Sequence, residues 1–187
     1  MLRKLSDVLR KASTGWVTLV ATLIFFLFVA LVAPGQAQKA EEVSGEAGTP
    51  DLSFFYTPDD LYHMAESYCE QGRQDYVRAR FTFDLAFPLV YTFFLVTAIS
   101  WLFGRAFPPG SRWQYANLAP LAAILLDFGE NITTSLVMAR YPAQTPIIAA
   151  LAPVFTATKW VMVGASILLL IIGLAAVIGK GISERTR

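Results

Sequence analysis

Polar side chains stand where apolar residues are the rule at two places in this chain: Asp127, Glu130 and Asn131 interrupt one long apolar run, and Lys159 interrupts the next. With Thr134, the first three recur at i, i+3, i+4 and i+7, the spacing that collects side chains on one face of a helix. Thr156, Lys159 and Ser166 make a matching stripe. Two carboxylates facing one ammonium leave an excess negative charge or a bound proton, so the set offers ion pairing, proton binding or contact with a small polar ligand. A further run adds Arg80, Asp84, Pro88 and Tyr91, again on one face, with Arg80 and Asp84 placed to pair at i, i+4 and Tyr91 able to donate to a carboxylate. Each residue also has a structural reading: the stripes hold helices together, Arg80 and Asp84 anchor an interface, and Tyr91 is packed.

The elements that must position these groups are membrane helices. The chain has 187 residues, of which 55% are hydrophobic and 16% charged, against roughly 25% charged in a soluble domain. Mean hydropathy is +0.50. A soluble core cannot absorb that much apolar surface, and no basic stripe points to nucleic acid. Four runs meet or approach the ~20 residues that a helix needs to cross the hydrocarbon core. The expected fold is therefore all-α and polytopic, with four transmembrane helices and an outer amphipathic helix between the first two. In order, it has a tail 1–13, a span 14–33, an outer segment 34–81, a span 82–104, a loop 105–115, a span 116–139, an outer loop 140–146, a span 147–179 and a tail 180–187. The fourth run is longer than a crossing requires, which implies tilt, a kink near Pro153 or a start in the interface.

Orientation follows from basic residues beside the spans. Arg3, Lys4, Arg10 and Lys11 precede the first, Arg105 and Arg112 flank the second loop, and Lys180, Arg185 and Arg187 follow the last. Pro34 to Arg80 carries nine acids against four bases. Both termini are expected in the cytoplasm, with the acidic segment outside. A competing reading takes the first helix as a signal peptide cut near Gly35-Gln36-Ala37, although its apolar stretch exceeds the usual ~7–15 residues.

Within the outer segment, Gln36 to Thr49 reads as a mobile tether. Thr57 as N-cap, Pro58 at the first helical position and Asp59 and Asp60 in the first turn open a helix. Leu61, Met64, Ala65 and Tyr68 give it an apolar face as far as about Gly72, suited to capping the bundle or lying on the outer interface, where it could dock a protein or lipid partner. Arg73 to Arg80 leads helically into the second span. The threonines at 14, 18 and 22 form a small-residue stripe for close packing.

Across the hairpin of the third and fourth spans, centred near residue 143, Asp127 and Lys159 lie 16 residues from the centre and so at one depth. Either Asp127 or Glu130 can therefore be the direct partner of Lys159; Glu130, level with Thr156 and near the depth of Tyr91, is read as the surplus carboxylate, and the competing view has both share Lys159 in one static network. Other chemistries lack their parts. Cys69 and His63 are the only residues of their kinds, so no intramolecular disulfide, CxxC pair, thiolate metal cage, Ser-His-Asp triad or paired Glu-x-x-His site can be built. No cofactor or metal is expected: Asp127 and Glu130 beside Lys159 make an incomplete cation shell. No phosphate-binding glycine loop occurs, and no repeat suggests an inverted-repeat transporter. Asn131-Ile-Thr matches a glycosylation sequon but lies inside a span.

Gly72-Arg73 with Tyr76, the run Arg80-Phe81-Thr82-Phe83-Asp84 with Phe87-Pro88 and Tyr91, Asp127 with Glu130-Asn131, Tyr141-Pro142 and Lys159 resemble the motifs of a group of uncharacterised bacterial four-helix membrane proteins. The resemblance covers about residues 55 to 178. It implies a multi-pass protein of the bacterial cell (inner) membrane, and it carries no activity. Two function classes remain: a structural or interaction protein whose buried polar groups specify helix pairing, and a protein that handles a small molecule, ion or proton at Asp127, Glu130 and Lys159. An enzyme has the least support, because its acids and bases would be only carboxylates, Tyr and Lys.

Overall fold

The computed structural model describes residues 1–185, and these fold into helices and turns without a strand. The α-helices are α1 (Leu2–Ala12), α2 (Gly15–Leu31), α3 (Ala33–Ser44), α4 (Pro58–Ser67), α5 (Glu70–Arg80), α6 (Phe83–Ala106), α7 (Ala119–Arg140) and α8 (Pro146–Arg185). Three stretches are long and apolar enough to cross a membrane, Glu70–Ala106, Arg112–Arg140 and Pro146–Glu184, and the number is four if α1 and α2, which meet at 87°, are counted as one span. Five charged residues, Arg3, Lys4, Asp7, Arg10 and Lys11, lie in α1, so the apolar part of that pair is α2 alone. Its 17 residues are about 25 Å long.

Four expectations are corrected. The first run is not one helix over 14–33, because α2 ends at Leu31 and α3 begins at Ala33. The expected tether is helical as far as Ser44: Gln36, Ala37, Gln38, Lys39, Ala40, Glu41 and Glu42 are good helix formers, and Gln38 bonds Glu42 one turn on. The helix stops at Gly45, whose φ of 51° favours glycine. The candidate cleavage site at Gly35 to Ala37 lies inside this helix. The amphipathic helix ends at Ser67 rather than Gly72, since Cys69 is extended and its Sγ accepts from the Gly72 amide at 3.3 Å, opening α5. Finally, α8 runs past residue 179 to Arg185, and its 40 residues are about 60 Å long, with Pro153 inside it. Of the basic residues placed after the last span, Arg187 lies outside the described residues.

The chain divides into two compact units. The first comprises Met1–Phe26, Val90–Ala123 and the stretch from Val161 onward. There α2 lies antiparallel to α6. The Thr18 hydroxyl reaches the Thr97 carbonyl at 3.3 Å, and Phe25 stacks on Phe94 at 4.7 Å, so the small-residue stripe sits where helices approach closely. Gly173 lets α8 close on α6, because a Cβ there would meet the Phe103 ring at 2.6 Å.

The second unit comprises Leu27–Leu89 and Ile124–Trp160. Here α7 and α8 pair antiparallel, and Gly129 is the point of close approach: a Cβ would lie 2.8 Å from the Phe155 ring. Thr57 and Asp60 form a reciprocal capping box that starts α4, in which the hydrogen bonds from Thr57 hold the Asp60 carboxyl below its usual value. The apolar face of α4, Leu61, Met64, Ala65 and Tyr68, buries against Val137 and Met138 of α7 and Ala149 and Ala152 of α8. Burial of Leu61 or Met64 contributes roughly 1.5–3 kcal/mol. Arg73 closes the other end of α4, donating to the carbonyls of Ala65 and Tyr68 that the helix terminus leaves unpaired. Its guanidinium also lies 5.0 Å from the centre of the Tyr141 ring. The Thr145 amide, at the start of α8, donates to the Tyr62 oxygen at 2.6 Å. Of the two places sequence allowed for α4, the structure therefore selects the cap.

Candidate functional site

Several stretches of the second unit contribute side chains to one buried polar cluster. From α7 comes Glu130, wholly buried, and from α8 come Thr156 and Lys159. The Lys159 ammonium pairs with Glu130 Oε2. Thr156 Oγ1 lies 3.0 Å from Glu130 Oε1, and Tyr56 Oη, from the segment before α4, is 2.9 Å from the same hydroxyl. Burial pushes the Tyr56 phenol well above its ordinary value of 10.0, so Tyr56 keeps its proton and serves as a neutral hydrogen-bonding end to the chain.

The assignment of Glu130 as the surplus carboxylate is thereby corrected: Glu130 holds Lys159. Counting residues from the hairpin centre ignored side-chain direction. Helical side chains lean toward their own N-terminus, so in an antiparallel pair the long Lys159 side chain leans toward the connecting loop and carries its ammonium about one turn, from the level of Asp127 to that of Glu130. Asp127 is buried, and its charge bears on both Glu130 and Asp84.

A second ion-paired group surrounds Arg80, which is buried at the end of α5. Its Nη2 is 3.1 Å from Asp51 Oδ1 and its Nε is 3.1 Å from Asp84 Oδ2, while the guanidinium lies over the Tyr76 ring at 4.4 Å. The i, i+4 pair read from the sequence is present, and Asp51 makes it a triad. Nothing singled out Asp51 beforehand. The available signal was a lone acid in a turn, Pro50-Asp51-Leu52, running into the aromatic stretch Phe54-Phe55-Tyr56. The turn is tied down by Trp160, whose indole N–H donates to the Asp51 carbonyl at 3.1 Å. Burial pushes the Asp51 carboxyl up, but Arg80 and then Lys159 outweigh it and hold the group below its ordinary 3.8.

Asn131 has a backbone role that its place in the stripe did not disclose. Pro88 lies inside α6 and has no N–H, which orphans the carbonyl four residues earlier, that of Asp84. Asn131 Nδ2 donates to that carbonyl at 2.9 Å. Asp84 thus meets Arg80 with its side chain and Asn131 with its main chain. Tyr91 is buried but belongs to the first unit, whereas Arg80, Asp84, Asp127, Glu130, Asn131 and Lys159 belong to the second. Thr134, also in the stripe, bonds back to the Glu130 carbonyl at 2.8 Å, and Ser166 to the Met162 carbonyl at 2.7 Å. His63 and Cys69 are exposed.

Chemically, the arrangement is a set of interacting ionisable groups. Asp51, Asp84, Asp127 and Glu130 stand with Arg80 and Lys159, four carboxyl groups with two cations, each acting on others of the set. Among the described residues no three Asp, Glu, His or Cys side chains converge as a metal-holding group. No family model, curated protein or solved structure matches this chain, so what it does is read from geometry alone.

Proposed function

We propose that this chain is a four-span integral membrane protein of a bacterial cell (inner) membrane with both termini in the cytoplasm, and that its buried polar cluster is structural. The cluster fastens the acidic segment between α2 and α6 to α7 and α8, so that an extracytoplasmic cap is held in one arrangement for interaction. Exposed apolar side chains such as Leu125, Val161, Leu168 and Ile171 support embedding, because together they form surface that favours acyl chains over water. The distribution of Lys and Arg supports the orientation.

The observation that carries the structural reading is the unbroken chain Tyr56–Thr156–Glu130–Lys159, whose four residues come from three separate stretches of sequence and are all buried. Such a network rigidifies and specifies one packing when its members are satisfied. Because the apolar face of α4 is already covered by α7 and α8, the part of the cap left to meet a protein or lipid partner is the neighbouring Leu52, Phe54 and Phe55, all exposed.

The excess of two carboxyl groups over cations favours a second reading, in which the cluster takes up and releases protons. The two readings separate in the pH dependence of thermal stability in detergent, compared between the parent and Glu130→Gln. A static lock gives profiles of the same shape between about pH 5 and 9, offset by a constant. A change of shape in that interval assigns a titration to the Glu130 network and supports proton handling instead.

A further inference from the structure

The amino-terminal helix α1 is seated within the first unit. It meets α2 at 87°, so if α2 crosses the bilayer, α1 lies along the membrane surface. Buried side chains hold it there. Ser6 Oγ lies 2.9 Å from both the Gln114 carbonyl and Asn117 Oδ1, and Asn117 Nδ2 returns to the Ser6 carbonyl at 3.1 Å and to Ser100 Oγ at 2.9 Å. Gln114 Nε2 donates to the carbonyls of Phe103 and Phe107 at the end of α6, each at 3.2 Å. The 3-10 turn Arg112–Leu118 is thus a seat built for α1.

With one edge occupied by Ser6, the two flanks of α1 differ in chemistry. Leu2, Leu5 and Val8 are exposed on one, and Arg3, Lys4 and Lys11 are exposed on the other. The helix has one acid, Asp7, and it is paired with Arg10 at 2.7 Å, which leaves the other three cations without an acidic partner on their own helix. Beside Arg3 lies a groove of ≈ 450 Å³ lined by Met1, Leu2, Arg3, Tyr115 and Leu118. An apolar flank, a cationic flank and a mainly apolar groove with Arg3 in its lining together match the chemistry of an anionic phospholipid: acyl chain and glycerol on one side, phosphate on the other.

We propose that α1 and the Arg112–Leu118 turn form a binding site for anionic phospholipid headgroups at the cytoplasmic surface. The site rests on the membrane reading but not on the polar cluster of the second unit.

The test is amide hydrogen exchange of residues 2–12 in the full chain, in nanodiscs of phosphatidylcholine alone and of phosphatidylcholine with phosphatidylglycerol. Three cations at an anionic surface favour it by on the order of a hundredfold. Exchange should slow markedly in the anionic discs, and the difference should shrink as salt shortens the Debye length. Replacing Arg3, Lys4 and Lys11 together by Gln should abolish the difference while leaving exchange in phosphatidylcholine unchanged, with residues 124–160 as the control for folding. Equal exchange of the parent in the two discs overturns the site, as does a difference that survives the triple replacement. If the triple variant fails the folding control, the comparison of the parent in the two discs decides alone. Protection by soluble glycerol phosphate would also overturn it, since the site draws on the acyl chain. A chain that does not enter nanodiscs fails the membrane reading itself.

Discussion

Removing Lys159 while leaving Glu130 in place probes the cluster at its most buried ion pair. The side chain of Glu130 is 1% exposed and that of Lys159 8% exposed, so neither charge can turn to water when its partner is lost. Lys159→Met keeps most of the volume and removes the cation, and an unpaired buried carboxylate costs about 3–5 kcal/mol. Glu130→Gln leaves the ammonium unpaired, at a similar cost, although the amide oxygen can still accept from Thr156. The double variant strands neither member of the pair, so it should cost less than the sum of the singles, with an interaction energy of roughly 2–3 kcal/mol. Unfolding in detergent mixed with increasing SDS, followed by circular dichroism, reads all four corners of the cycle. Strictly additive losses would refute the pairing and, with it, the account of why Lys159 stands in an apolar helix.

Three further outcomes follow. Asn131→Ala leaves the Asp84 carbonyl unpaired and should cost about 1–3 kcal/mol, but much less in a Pro88→Ala background where the α6 backbone supplies its own N–H; equal costs in both backgrounds would sink the assignment. Asp51, depressed below 3.8 in the fold, contributes stability that is fully present above its unfolded value and lost as pH falls through the folded one, so the parent should lose stability below about pH 4 more steeply than Asp51→Asn; parallel acid limbs would contradict this. With Cys69 replaced, cysteines at positions 45 and 143 should react with an impermeant thiol reagent added outside and one at position 108 should not, whereas reaction at 108 alone reverses the orientation.

Much of this arrangement was legible because it depends on spacing alone. The i, i+3, i+4 stripe of α7, the N-cap at Thr57 and the i, i+4 pair of Arg80 and Asp84 are local patterns, and local geometry reproduces them. What escaped depends on direction or on distant segments. Reading Glu130 as the surplus carboxylate came from residue counting without the lean of the side chains. Asp51 lies 29 residues from Arg80, and no periodicity links them. Asn131 reads as a stripe residue until Pro88 is seen to orphan the Asp84 carbonyl. Residues 36 to 44 read as a tether from their polarity, where intrinsic helix propensity was the better guide. The seat of α1 needs Ser6 beside Asn117, 111 residues away, and stayed invisible for the same reason as Asp51.

The central claim, that the cluster is an occluded lock rather than the wall of a water-filled cavity, meets its most direct test at Thr156, which is wholly buried between Tyr56 and Glu130. A Thr156→Cys variant, with Cys69 replaced by Ser, would be treated in the folded state with a small charged methanethiosulfonate reagent. The account predicts no modification until the protein is denatured, whereas rapid modification of the folded chain would contradict it and place water at Glu130.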